Sequence, residues 1–267
     1  MRWVVFKDAM RFSMQMTLIW GIGLGAVMTL SVLMTPSLQG LDLISLFETL
    51  PPAMLGAMGV GEDLSSLNTP EGLIAFAVFS KMALIFAAYP VVIGLRVTAN
   101  EEDEGILDMT LTQPVPRAQF LLERFLAYVV NIAVLMILVI VGLFVGIWAV
   151  DMDLNAAKLV VMTLNLIPVM VVVLAVTVFV SSVISRKRTV LTIMTAFIMV
   201  SYVVQTVGAM VATRWMDAVE AFSFFSYYNV ETMLREGVVP TDVLLLTAVS
   251  IGLIAASLRL FEQRDIA

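Results

Sequence analysis

Long apolar runs alternate with short polar connections along the whole chain. A helix needs about 20 mainly apolar residues to cross the hydrocarbon core of a bilayer. The pattern therefore predicts six membrane-spanning helices, over residues 16–34, 72–96, 120–149, 157–184, 189–211 and 241–260. Because these runs and their connections fill the chain, we predict an all-α integral membrane protein with a single transmembrane domain over 1–267.

The composition also favours a protein that is surrounded by a lipid bilayer. Of the 267 residues, 61% are hydrophobic and 13% are charged, whereas soluble domains average about 25% charged residues. The chain has 0 Cys and 0 His, which excludes disulfides, thiolate metal sites and histidine-based nucleophilic catalysis. We therefore predict a lipid bilayer as the surroundings and no metal site, and the net charge of -6 argues against nucleic acid as a partner.

The basic residues predict the orientation of the spans. Cytoplasmic connections of membrane proteins carry an excess of lysine and arginine. If both termini are cytoplasmic, most of the 15 basic residues fall on that side, namely Arg2, Lys7, Arg11, Arg96, Arg117, Arg124, Arg186, Lys187, Arg188, Arg259 and Arg264. We therefore expect a multi-pass protein of a prokaryotic cell membrane with both termini in the cytoplasm.

The first residues have an amphipathic pattern. Lys7 and Arg11 lie opposite Trp3 and Phe6 on a helical projection of residues 1–15. Basic helices with an apolar aromatic face lie in the plane of the membrane interface. The sequence therefore predicts an interfacial helix before the first span.

Two longer connections, 35–71 and 212–240, are predicted on the extracytoplasmic side. Thr69 is a suitable cap for the start of the second span, because its hydroxyl can accept an unpaired helix amide. Asn229 can cap a short helix that Gly237 ends. We therefore expect short extracytoplasmic helices before the sixth span.

An acidic segment over 100–117 interrupts the apolar pattern between the second and third spans. Asn100 can cap a short helix there, and acidic residues 101–104 would lie at its positive end. Leu107 and Leu111 are one turn apart and form a narrow apolar stripe, and two prolines end the segment. The residues alone leave two interpretations, a solvated cytoplasmic loop or a docking helix that needs a partner surface.

The run ANEEDEGILDMTLTQPVPRAQ resembles the cytoplasmic signature of ABC-2 type transporter permeases. The stretches FFSYYNVETMLREGVV and LRLFEQRDIA resemble the family's segment before the last span and its usual ending. A threonine is common in the family where this chain has Ile106. The matched signature residues are Glu101, Glu102, Glu104, Gly105, Leu107, Leu111, Pro114, Val115 and Arg117.

The resemblance implies a type V exporter-like fold and the function of a permease subunit in an ATP-binding cassette exporter. Segment 100–117 would be the coupling helix that docks on a separate ATP-binding subunit, and two permease copies would pair as a homodimer. No Gly-x4-Gly-Lys-Ser/Thr phosphate-binding loop occurs in the sequence. We therefore expect no cofactor and no enzymatic activity in this chain, with ATP and Mg²⁺ bound by the partner subunit.

The short basic connection after the fourth span contains Arg186, Lys187 and Arg188. These residues could pair with the acidic run of the coupling segment. They could equally serve only to fix the topology of the spans.

The resemblance also implies that the second and fifth spans line the transport path. The polar side chains to consider there are Tyr89, Ser201, Tyr202 and Gln205. Lys81 lies inside the second span, where a charge costs about 2.5 kcal/mol or more on insertion scales. It either faces the path or extends its amine toward the membrane surface.

Two other functional classes remain as alternatives. An ATP-independent channel or carrier would not need an acidic docking helix, and a six-span membrane enzyme would need clustered carboxylates with metal-ligand spacing. The one acidic cluster, 101–104, lacks that spacing.

Asn131 and Asn165 are polar residues within the predicted third and fourth spans. They are predicted to form hydrogen bonds between helices, a role that needs no substrate.

Overall fold

The computed structural model describes residues 3–41, 43–51, 54–55, 64–98, 116–150, 154–208, 210, 216 and 219–263. The described secondary structure is helical, which confirms the all-α class for this part of the chain. Its α-helices are α1 (Val4–Gln39), α2 (Leu43–Glu48), α3 (Pro70–Ile74), α4 (Ser80–Gly94), α5 (Arg117–Ala149), α6 (Ala156–Val183), α7 (Lys187–Gly208), α8 (Val230–Glu236) and α9 (Pro240–Gln263). Short 3-10 helices cover Leu64–Asn68 and Phe224–Tyr227.

Five of the described helices are long and apolar enough to cross a membrane, namely α1, α5, α6, α7 and α9. A sixth candidate consists of α3, a π-helical turn over Ala75–Phe79 and α4, with a bend of 47° between Pro70–Phe79 and Met82–Gly94. The number of spans thus agrees with the sequence pattern, while the exact six-span layout stays a prediction.

The start of the chain differs from the prediction of a separate interfacial helix over 1–15. Val4–Gln39 form one continuous helix, because no proline or glycine interrupts the chain before Gly21. Val5, Ala9, Ser13 and Thr17 are buried at every fourth position, so one stripe of α1 stays in contact with the bundle. The predicted interfacial segment is therefore the first part of α1.

Helix α1 packs against α5 through glycines. A Cβ atom on Gly142 of α5 would overlap the carbonyl oxygen of Gly25 on α1. At the same crossing the Thr29 hydroxyl donates to the Gly142 carbonyl over 2.7 Å. Small residues let helix backbones approach closely in membranes, where dispersion contacts and hydrogen bonds replace the hydrophobic effect.

Polar side chains inside the bundle are hydrogen-bonded across helices. Asn131 of α5 donates to the Ser13 hydroxyl of α1, and Asn165 of α6 donates to the Met233 sulfur of α8 over 3.2 Å. The predicted structural role of both asparagines is thereby confirmed.

The predicted caps are also present. The Thr69 hydroxyl accepts the Gly72 amide at 3.1 Å, and the Asn229 side chain accepts the Thr232 amide at 3.1 Å. Gly237 ends α8 with a φ of 84°, a conformation that L residues rarely adopt. These residues therefore determine where α3 and α8 begin and where α8 ends. All three helix ends lie on the side of the bundle where α3 and α6 begin.

Candidate functional site

Four helices meet at one end of the bundle, where α1 and α5 begin and where α4 and α6 end. We call this the basic end, because arginines cluster there. Buried polar contacts connect the four helices at this point. We define the polar junction as the residues that make these contacts, namely Phe6, Arg96, Val97, Thr98, Glu123, Arg124 and Ser181.

Arg124 connects the start of α5 to the end of α4. Its side chain is only 9% exposed, and its Nη1 donates to the carbonyl oxygens of Arg96 at 2.8 Å and Val97 at 3.0 Å. The guanidinium also lies 4.2 Å from the centre of the Phe120 ring. The last carbonyls of a helix carry a partial negative charge and lack helical partners, so a cation is the favoured group at this place.

The chain that leaves α4 is fixed on α6 as well. Val97 and Thr98 are fully buried, and the Thr98 hydroxyl donates to the Ser181 carbonyl over 3.1 Å. Arg117 begins α5 two turns before Arg124 and is half-buried. The described residues on both sides of the α4–α5 connection are therefore fixed to the bundle, Thr98 on α6 and the second turn of α5 on the end of α4.

Glu123 connects the start of α5 to the start of α1. Its side chain is 6% exposed, and its Oε2 accepts the backbone amide of Phe6 at 3.1 Å. Its Oε1 accepts the Gln119 side-chain amide at 2.6 Å. Consecutive residues of α5 thus bind two different helices.

The sequence analysis did not select Glu123, Arg124 or Thr98 as site residues. A signal for the first two was present, because both are charged and lie inside the predicted third span over 120–149. Charges within a span are costly and are commonly functional. No comparable signal existed for Thr98, whose partner Ser181 is 83 residues away.

The predicted coupling residues from Glu101 to Pro114 lie outside the described residues. The basic connection is described and lies at the basic end: Arg186 and Arg188 are exposed, and Lys187 is half-buried at the first turn of α7. The backbone amides of Thr189 and Val190 donate to the Arg186 carbonyl, which starts α7.

The predicted path residues separate into two groups. Tyr89 is fully buried, and its hydroxyl lies 2.7 Å from the Thr17 hydroxyl of α1. Its ring also packs at 6.0 Å from Trp20. Tyr89 therefore connects α4 to α1. Lys81 belongs to α4, and its side chain lies outside the described part.

Ser201, Tyr202 and Gln205 of α7 instead hold the 3-10 helix Phe224–Tyr227. The Ser223 hydroxyl donates to the Ser201 carbonyl at 2.8 Å, and the Gln205 amide donates to the Phe225 carbonyl at 3.3 Å. The Tyr202 and Phe225 rings make an edge contact at 5.9 Å. We define the aromatic cluster as Phe197, Tyr202, Phe224 and Phe225, which stack in this region.

Tyr228 holds the same segment against α6. Its hydroxyl donates to the Met162 carbonyl over 3.3 Å. Burial raises the pKa of Tyr228 well above the usual value of a phenol. The hydroxyl therefore keeps its proton, and this contact does not change across the neutral pH range.

Comparison with known proteins gives the family. Among curated proteins, none matches the chain at a significant level. A family model described as "Multidrug efflux system permease Rv1217c, C-terminal domain" matches residues 8–262, which is nearly the whole chain. Together with the apolar helices, this match shows a membrane transporter permease. The chain belongs to the family of the C-terminal domain of the multidrug efflux system permease Rv1217c.

Proposed function

We propose that this permease is the membrane-spanning subunit of an ATP-binding cassette exporter. A separate subunit binds ATP and Mg²⁺ and hydrolyses the nucleotide, and the permease converts the resulting motion into export of its substrate. Two permease copies pair in the cell membrane, each with one ATP-binding subunit. The resemblance of residues 99–119 to ABC-2 permeases and the family's description as an efflux permease support this proposal.

The polar junction is the observation that carries the proposal. The connection over 99–115 starts next to Thr98, which is fixed on α6, and ends near Arg124, which is fixed on α4. Hydrogen bonds to a charged group contribute about 1.5–3 kcal/mol each, so the junction resists separation of these helix ends. A force that the ATP-binding subunit exerts on the connection would therefore displace the ends of α4 and α5 together.

Within the connection, each residue type has a proposed role. Glu101, Glu102 and Glu104 stabilise the positive end of a short helix whose turn Gly105 permits. Leu107 and Leu111 pack into an apolar groove of the ATP-binding subunit. Pro114 ends the helix, and Arg117 begins α5. The basic residues Arg186, Lys187 and Arg188 pair with the acidic run or fix the topology.

The transport path is proposed to lie along α4 and α7, where Lys81, Ser201, Tyr202 and Gln205 are found. The buried bond of Tyr89 to Thr17 favours a packing role for that tyrosine. Ser201, Tyr202 and Gln205 each contact Ser223 or Phe225, at the start of the aromatic 3-10 segment. A substrate that leaves along α7 would meet the aromatic cluster at the end of the span.

Co-purification tests the docking part of the proposal. We expect the tagged permease to retain an ATP-binding cassette subunit in mild detergent. Leu107→Asp should abolish this retention because it places a charge in the apolar contact, whereas Leu107→Met should preserve it. Equal retention by the two variants would show that Leu107 does not dock.

Transport and topology are tested in inverted membrane vesicles. ATP should drive accumulation of a lipophilic cationic dye only when both subunits are present, and the isolated permease should hydrolyse no ATP. The chain has 0 Cys, so Asp103→Cys provides a unique label. A membrane-impermeant maleimide should label this cysteine in inverted vesicles and not in intact cells. Labelling from outside cells, or transport without the ATP-binding subunit, would refute the proposed function.

A further inference from the structure

Glu123 is a buried carboxylate whose contacts point beyond the α4–α5 connection to α1. The start of α1 lacks a local cap, because Trp3 has a φ of 69° and makes no side-chain bond to the helix. Phe6 is the third residue of α1, so its amide is one of those that a helix leaves without an internal acceptor. Glu123 Oε2 accepts this amide at 3.1 Å from a position 117 residues along the chain.

Two side chains on the second turn of α5 therefore bind backbone groups at the ends of two other helices. Each carries the charge that the helix end favours. The Glu123 carboxylate binds the positive start of α1, and the Arg124 guanidinium binds the negative end of α4. Both pairings follow the direction of the helix dipole. Gln119 donates to the other oxygen of Glu123, so the carboxylate is held in place from its own helix as well.

The buried stripe of α1 continues this contact along α5. Val5 and Ala9 are buried beside the cap, and Asn131 of α5 donates to Ser13 one turn further along α1. Outside this stripe the side chains at the start of α1 are exposed or half-buried, and Phe12 is 82% exposed. Between Val4 and Gln15, the described hydrogen bonds of α1 to other helices are those with Glu123 and Asn131 of α5, whereas Met16 further along accepts from Arg96. Glu123 supplies the one that reaches the first turn.

We propose that Glu123 is a positioning residue that makes the first turns of α1 move together with the α4–α5 connection. This inference rests on the proposed function, since it adds α1 to the helices that respond to the ATP-binding subunit. The cap fixes the position of α1 along the axis of α5. A displacement of the α5 start therefore reaches α1 directly, without passing through the rest of the bundle.

Cysteine labelling tests the position of α1. Val5→Cys replaces a buried side chain in this chain of 0 Cys, and Val4→Cys replaces its exposed neighbour as a reference. Glu123→Asp keeps the charge but shortens the side chain by one methylene, whereas Glu123→Gln keeps the length and an acceptor oxygen. We expect Glu123→Asp to raise the maleimide labelling rate of Val5→Cys about fivefold, as for a lost helix cap. Glu123→Gln should raise the rate less than Glu123→Asp does, because its amide oxygen can still accept the Phe6 amide although the charge is lost.

Vesicle transport tests the consequence. In the assembled complex, Glu123→Asp should lower the amount of dye transported per ATP hydrolysed, while the KM for ATP stays unchanged. Glu123→Gln should lower this ratio less than Glu123→Asp does. Asp8→Asn is the control, because Asp8 is an exposed acid on α1. It should change neither the amount of dye transported per ATP hydrolysed nor the KM for ATP.

The outcomes separate this inference from the proposed function. If no ATP-binding subunit co-purifies with the parent, the proposed function fails, although the labelling difference between the two Glu123 variants would remain. If the parent transports dye with ATP but the two variants label Val5→Cys alike, the cap does not position α1. That result would overturn the inference and leave the proposed function intact.

Discussion

The two ends of the bundle are held together by different kinds of contact. At the basic end, the charged side chains of Glu123 and Arg124 bind backbone groups at the ends of α1 and α4. At the opposite end, rings of the aromatic cluster stack around Phe225, whose centroid lies 4.2 Å from that of Phe224. The opposite end also has hydrogen bonds between neutral groups, from Ser223 to Ser201 and from Gln205 to Phe225. Charge-assisted hydrogen bonds are roughly twice as strong as neutral ones, so the comparison indicates that the basic end holds its helix ends more firmly than the opposite end does.

The packing of α7 supports this distinction. Its buried positions form one narrow stripe, consisting of Val190, Met194, Ile198 and Ser201. Near the end of α7, Gln205 donates to the Phe225 carbonyl and the Ser201 carbonyl accepts the Ser223 hydroxyl. By contrast, α5 has buried residues along its whole length, from Phe120 to Gly146. The aromatic cluster therefore restrains the more loosely packed helix.

The largest expected effect is at the aromatic cluster. Phe225 is fully buried, so Phe225→Ala should lower the free energy of unfolding by about 3–5 kcal/mol through lost contacts and a cavity. Thermal unfolding of the purified chain in detergent measures the change. Phe222→Ala is the matched control, because Phe222 is 87% exposed. Equal shifts for the two variants would show that the cluster does not hold α7.

Arg124→Met should have the next largest effect. It removes both bonds to the end of α4 while keeping a long apolar side chain, and we expect a loss of about 2–3 kcal/mol. Arg124→Lys keeps the charge without the planar fork of donors and should lose less. Under the proposed function, Arg124→Met also lowers transport per ATP hydrolysed, whereas Phe225→Ala lowers stability more than coupling. The reverse ranking in vesicle assays would contradict the comparison between the two ends.

Much of the fold follows from the sequence because the bilayer imposes a simple rule of length and polarity. The spans over 120–149 and 157–184 agree with α5 and α6 to within a few residues. Local chemistry also predicts the caps at Thr69 and Asn229, since each needs only the amides three residues on. These features depend on neighbours in the chain, so the sequence contains them directly.

The site is less accessible to sequence reasoning, because membrane helices are apolar on all sides. Without a polar face, the pattern does not show which side of a helix is buried. Tyr89, which is predicted to line the transport path, has a hydrogen bond to Thr17 on α1 that the sequence pattern does not reveal. The cap between Glu123 and Phe6 spans 117 residues and depends on the packing of α1 against α5. Such contacts arise from tertiary structure, so the sequence can show that Glu123 is an unusual charge within a span but not which group it binds.

The α1–α5 crossing provides a test of contacts that lie between the two ends. A Cβ atom on Gly142 would overlap the backbone of Gly25, so Gly142→Ala should destabilise the chain by about 1–3 kcal/mol through overpacking. Gly23→Ala on α1 is the control, because no atom lies within 4 Å of its added Cβ. Thermal unfolding should shift only for Gly142→Ala, and a shift of the same size for Gly23→Ala would exclude the close approach.

The smallest expected effect on stability is that of Tyr89→Phe. This variant tests whether Tyr89 packs α4 against α1 or lines the transport path. Tyr89→Phe removes one hydroxyl that lies 2.7 Å from Thr17. Hydrogen bonds between membrane helices average about 0.6 kcal/mol, so the loss of stability should be of that order. Thr17 keeps its bond to the Ser13 carbonyl at 3.0 Å, which limits the cost further.

A double-mutant cycle of Tyr89→Phe with Thr17→Val separates the pair from its surroundings. If the bond between α4 and α1 is the role of Tyr89, the two changes together cost less than their sum, and dye selectivity stays parental in all variants. If Tyr89→Phe changes selectivity while Thr17→Val does not, the tyrosine contacts the substrate. The distinction is sharp because the hydroxyl is fully buried against α1, and a substrate would reach it only after α4 and α1 had separated.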